Sequence, residues 1–173
     1  MTSWADYLMG FALHAASKSR DSTKVGAILV GPDGEVRLTA YNGPPRGVLD
    51  LPERFEHPVK YLYCSHAEEN LIAFAAREGI RTKGCTVYTT LHPCSRCART
   101  LIQAGISCVV IGDGETKMPV VEFQVAARMF EEAGVERRTV DDGSLPRIPG
   151  VHEGWSSHDD LDSVGEARYE SSV

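Results

Sequence analysis

Between Lys24 and Val140 short apolar runs alternate with longer amphipathic segments, and that alternation restricts the fold more than any other feature of the chain. Lys24 to Val30, Glu35 to Tyr41, Cys85 to Thr90, Ser107 to Ile111 and Val135 to Val140 read as strands. Pro32-Asp33-Gly34 joins the first two as a hairpin turn. Helices are expected over residues 3–17, over Ala67 to Glu78 with Gly79 as stop, from Pro93 to about Ala104 with Gly105 as stop, and over Pro119 to Ala133. Strands separated by helices of this length predict a layered α/β domain, because each helix must lay its apolar stripe on a sheet. Residues 42–64 read as one long irregular stretch, and loops of that length inside a domain tend to be functional. The organised region is expected to span 1–140.

Two of the expected helices open on chemistry-bearing residues. His66-Ala67-Glu68 begins one, and Pro93-Cys94-Ser95-Arg96-Cys97 begins another. Cys94 and Cys97 are three apart, so both thiols lie on one helical face and can reach one ion. His66 and Glu68 are two apart at a helix start, where irregular backbone lets both point into one cavity. One His and two Cys ligands suit zinc, and the lack of a well-placed fourth ligand leaves a position open for catalysis. His92 is the nearest further donor, but its backbone position beside Cys94 makes joint ligation awkward. Two helix N-termini directed at one ion favour thiolates. Zinc in such a site lowers the pKa of a bound water from about 15.7 to about 7. Glu68 is the natural group to take that water's proton and pass it on. The combination H-x-E with P-C-x-x-C is the signature of zinc-dependent deaminases.

The other cysteines are Cys64, Cys85 and Cys108, which makes five in all. An odd number argues against a disulfide framework. The formal net charge of −6 is uneven: residues 1–140 carry 16 basic and 16 acidic side chains, and the excess lies entirely in 141–173. A neutral domain offers no broad basic surface, so no polynucleotide partner is expected. No run approaches the roughly 18 apolar residues of a membrane span, and the N-terminus carries no secretory pattern, so a cytoplasmic location is expected. The acidic segment 141–173, rich in Ser, Gly, Asp and Glu, reads as a flexible tail.

Taken with these motifs, the chain resembles the cytidine/deoxycytidylate deaminase superfamily, and within it the deoxycytidylate (dCMP) deaminases. The likeness extends over roughly residues 20–138. It includes Lys24-Val25-Gly26-Ala27, the loop Tyr41-Asn42-Gly43-Pro44-Pro45-Arg46-Gly47, Lys60-Tyr61, His66 to Asn70, Lys83 to Tyr88, Thr90 to Cys94 and Leu101 to Ile106. The resemblance implies a three-layer α/β/α fold with a five-stranded mixed sheet and helices on both faces. It also implies a homo-oligomer, hexameric or dimeric, and one zinc held by His66, Cys94 and Cys97. The implied reaction replaces the C4 amine of dCMP by oxygen, with Glu68 carrying protons to N3 and to the departing ammonia. By the same resemblance Asn42 meets the deoxyribose and the Ala67 backbone N–H meets the base carbonyl. Arg20, Arg46 and Lys24 are the candidates for the phosphate, and Tyr63 and His92 for stacking on the base.

Some features depart from that family. Ala40 stands where its loop usually has glycine, and Leu91-His92 where many members have phenylalanine before Pro-Cys. The 48–59 loop and the acidic tail are additions. Two other readings compete. One is a deaminase of the same superfamily acting on another cytosine compound or a purine base. The other is a non-catalytic, zinc-stabilised nucleotide-binding module, against which the presence of Glu68 speaks.

Overall fold

The computed structural model describes residues 1–141. The acidic tail expected over 141–173 lies, beyond Asp141, outside the described residues.

Helix α1 spans Trp4–Ala16. Ser3 caps it by accepting the Asp6 N–H, and Asp6 lies in the first turn where the helix dipole favours negative charge. Strands β1 (Gly26–Val30) and β2 (Val36–Tyr41) form the expected hairpin, with Gly34 at φ 83° in its turn. The stretch 42–64 is less irregular than its composition suggests. It contains a 3-10 turn at Pro52–Phe55 and a one-turn helix α2, Lys60–Tyr63. Four residues are too few to show a hydrophobic period, so neither element was legible.

Helices α3 (Ala67–Glu78), α4 (Ser95–Gln103) and α5 (Val120–Glu132) follow, separated by strands β3 (Thr86–Thr89), β4 (Cys108–Ile111) and β5 (Glu136–Thr139). The sheet order is β2-β1-β3-β4-β5. β1 is antiparallel to both neighbours, while β3, β4 and β5 run parallel. The sheet is therefore mixed and five-stranded, as expected.

Alternation along β1 shows why there are three layers. Ala27 and Leu29 face the main core with Leu71, Leu101, Val109 and Phe130, while Ile28 and Val30 face Leu8, Met9 and Ala12 of α1. Helix α1 covers one face, and α3, α4 and α5 cover the other. Because β1 is antiparallel to β3, its first residues meet the end of β3: the Thr90 N–H donates to the Gly26 carbonyl and the Gly26 N–H to the Thr90 hydroxyl. The starts of β1, α3 and α4 and the ends of β3 and β4 thus gather at one edge of the sheet, where open α/β sheets bind ligands. No helix of the described residues is long and apolar enough to cross a membrane.

Candidate active site

Two helix starts are fastened together at that edge. His66 is the N-cap of α3, and its backbone N–H donates to Glu69 Oε2 at 3.0 Å. The same oxygen receives Arg96 Nη2 of α4 at 2.6 Å, so one carboxylate ties both helix starts. Cys94 is the N-cap of α4, and Glu122 of α5 accepts from both the hydroxyl and the backbone N–H of Ser95. A carboxylate at that position satisfies N-terminal donors and suits the dipole.

His66, Cys94 and Cys97 come together as expected, their donor atoms within 4.8 Å of one another. His66 Nδ1 lies 3.4 Å from each sulfur. With Zn–N of about 2.05 Å and Zn–S of about 2.3 Å, a tetrahedral ion sets N and S about 3.6 Å apart. The donor set therefore fits a single zinc, and among the described residues it is the group of this kind. Among the described residues no fourth protein donor joins it, so a coordination position is left for another ligand.

The two thiols act as a pair. Cys94 is pushed down to about 3, first by the hydrogen bond with Cys97 and then by His66, so the first thiolate forms there. Cys97 is raised, chiefly because it holds its proton against that thiolate and because it is buried. The contact with Cys94 raises His66 in turn.

Glu68 sits beside these groups at 3% exposure. Its Oε1 accepts the Thr89 hydroxyl at 2.9 Å, and its Oε2 lies 3.4 Å from Cys97 Sγ. Burial raises its pKa, so it holds a proton more readily than a solvated carboxylate. Thr89 ends β3 and is fully buried; it orients Glu68, and sequence reasoning missed it because a threonine in an apolar strand looks like ordinary β-branched packing.

These residues open onto a cavity of about 740 Å³, large enough for a nucleotide-sized ligand. Asn42 lines it, clamped by accepting the Val25 N–H at 2.8 Å and donating to Thr23 O at 2.9 Å. Ala67 is fully buried at the first position of α3, where backbone N–H groups lack helical partners. Paired hydrogen bonds between Gly43 and Ser65 tie the Asn42 loop to the segment entering α3.

The three cations expected at the phosphate are not among the lining residues. Arg20 donates to Asp50 O at 2.9 Å and stacks on Phe55. The Arg46 guanidinium lies 5.3 Å from the centre of the Phe74 ring. Lys24 is exposed just before β1. Of the two stacking candidates, Tyr63 lies under Arg54 and is not in the lining. His92 does line the cavity, but its ring is held in the interior against Phe123, with Nδ1 2.9 Å from Pro93 O. Burial pushes it down to about 4, and Nε2 has no partner among the described residues. Lys60, Tyr61 and Lys117 line the cavity instead. Lys60-Tyr61 was visible as a motif, whereas Lys117 belongs to an aperiodic polar segment that carried no signal.

The family model for the cytidine and deoxycytidylate deaminase zinc-binding region matches residues 2–113. A protein called an uncharacterized deaminase in the luxG 3′ region of Aliivibrio fischeri is 37% identical over 146 residues, covering 79% of this chain and 92% of its own length. Deoxycytidylate deaminase of Mus musculus is 38% identical over 143 residues, 78% of each chain. Among solved structures, the apo form of the dCMP deaminase from cyanophage S-TIM5 aligns with a TM-score of 0.62 at 25% identity, over 78% of this chain and 95% of that one. With the matched region containing the histidine, the buried glutamate and both cysteines, the chain belongs to the zinc-binding cytidine and deoxycytidylate deaminases.

Proposed function

We propose that this chain is a zinc-dependent hydrolase that converts dCMP and water to dUMP and ammonia. The observation that carries the reading is Glu68: a buried carboxylate oriented by Thr89 at the edge of a His-Cys-Cys donor set. A structural zinc site has no use for a desolvated acid beside an incomplete set of ligands. The choice of dCMP is supported by curated relatives near 38% identity that are named deoxycytidylate deaminases.

His66, Cys94 and Cys97 would hold the zinc, which supplies Lewis-acid activation of water at neutral pH. Glu68 takes the proton from the attacking water and delivers it to N3 as the new C4–O bond forms. It then moves the hydroxyl proton to the exocyclic nitrogen, the C4–N bond breaks, and ammonia leaves. The raised pKa suits both halves of this cycle, since the protonated form must persist long enough to act as acid. Asn42, held rigid by its two backbone bonds, retains one amide hydrogen for the sugar. The Ala67 N–H faces the base carbonyl. Leu91, at the wall, adds apolar surface for the ring.

We further infer a homo-oligomer, a dimer or a hexamer, acting in the cytoplasm. An exposed edge-to-face ladder of Trp4, Tyr7 and Phe11 on the outer side of α1 supports association. Turnover by Glu68→Ala tests the proposal: a loss of at least 100-fold with zinc still bound is expected, and full activity would reject the shuttle.

A further inference from the structure

We propose that Lys117 forms the phosphate subsite of the cavity, so that the 5′-phosphate is read by the segment following β4. The inference rests on the nucleotide substrate proposed above and adds the residue that recognises its charge. A phosphate dianion needs a cation with donors to spare. Among the described residues the cavity wall carries two lysines and no arginine. Lys60 Nζ lies 2.9 Å from Asp21 Oδ1, with both side chains mostly buried, so its charge is already matched. Lys117 has no ion pair among the described residues and is exposed at the cavity mouth. Arg20 and Arg46 are engaged outside the wall, on Phe55 and Phe74.

The segment bearing Lys117 is built into the site at both ends. The Gly112 N–H donates to Thr89 O at 2.9 Å and the Gly114 N–H to Thr90 O at 3.1 Å. A Cβ on Gly114 would fall 2.5 Å from Thr90 O, and one on Gly112 2.9 Å from it, so glycine at both positions permits this close approach. At the far end Met118 packs against Cys94, Cys97 and Phe123. Glu115, Thr116 and Lys117 therefore span two anchors at the wall. The Thr116 hydroxyl accepts the Met118 N–H at 3.3 Å, and Thr116 lines the cavity beside Lys117 in the chain, with its own hydrogen left to donate. Glu115 is the one opposing charge in this span; being exposed, it weakens the subsite without cancelling it.

The experiment compares kcat/KM for dCMP and for deoxycytidine in the zinc-loaded protein and in Lys117→Gln, Lys117→Arg, Glu115→Gln, Arg20→Gln and Arg46→Gln. Calorimetric binding of dUMP and deoxyuridine provides a readout independent of turnover. Lys117→Gln is expected to lower the dCMP-to-deoxycytidine ratio roughly 10- to 100-fold and to weaken dUMP by a similar factor. Lys117→Arg should retain most of the preference, and Glu115→Gln should tighten dUMP. An unchanged ratio in Lys117→Gln, or a collapse in Arg20→Gln or Arg46→Gln instead, would overturn the assignment. If the unmodified protein shows no preference for dCMP, the nucleotide reading fails first, and this inference with it.

Discussion

Gly26→Ala should destabilise the protein by an amount that can be worked from two distances. Gly26 opens β1 where α1 crosses closest to the sheet. A Cβ there would sit 2.0 Å from Ala12 O and 2.6 Å from Ala16 N, both backbone atoms of α1. Ordinary contact begins at 3.4 Å, so the helix must retreat by roughly 1.4 Å. Leu8, Met9 and Ala12 would then lift from Ile28 and Val30, and a gap of that size forfeits half or more of their dispersion contact. Overpacking of this kind costs about 3 kcal/mol. For a domain of this size that is a fall in Tm of about 6–12 °C, read by circular dichroism on the zinc-loaded protein. The strain also reaches the site, because the Gly26 N–H donates to Thr90 Oγ1 at 3.1 Å and the Gly26 carbonyl accepts the Thr90 N–H at 3.0 Å. A Tm within about 2 °C of the unmodified protein would refute the close packing of α1 on β1 that the argument needs.

Other perturbations give outcomes of distinct sign. Thr89→Val removes the hydrogen bond that favours the Glu68 carboxylate, so kcat should fall roughly 10-fold and the acidic limb of the pH–rate profile should move to higher pH; a limb that stays in place would show that Thr89 does not tune Glu68. His92 is buried with a pKa near 4 against 6.5 unfolded, so the unfolded chain takes up the proton first and stability is lost as pH falls below about 6.5. His92→Phe, which also removes the unpartnered Nε2, should therefore reduce the stability lost between pH 7 and pH 5.5 by about 1 kcal/mol, and an identical pH dependence in denaturant melts would count against the buried neutral ring.

Much of this could be read before any coordinates, for identifiable reasons. Helices α3 and α4 were legible from local punctuation: Gly79 and Gly105 as stops and Pro93 as an opener, although α4 begins two residues later, at Ser95 behind the Cys94 N-cap. The metal residues were legible because ligand spacing on a helix is itself local. Strand ends shifted by a residue or two: β1 begins at Gly26, where Lys24 was expected to start it, since the Val25 N–H donates to the Asn42 side chain and not to a neighbouring strand. Which cation reaches the cavity could not be read, because it depends on how three separate loops converge. Arg20 and Arg46 look available in the sequence, yet each finds an aromatic ring and turns aside, and Lys117 is brought in by glycines whose purpose shows only against Thr90. Thr89 was hidden for a similar reason, its partner being 21 positions away.

Ammonia release from the zinc-loaded protein, measured in parallel on dCMP, CMP, deoxycytidine, cytosine, guanine and adenosine, decides whether this chain is a dCMP deaminase. The highest kcat/KM is expected for dCMP, with the activity abolished in Glu68→Ala at unchanged zinc content. Faster turnover of a free base or nucleoside than of dCMP, or an active Glu68→Ala, would contradict that assignment.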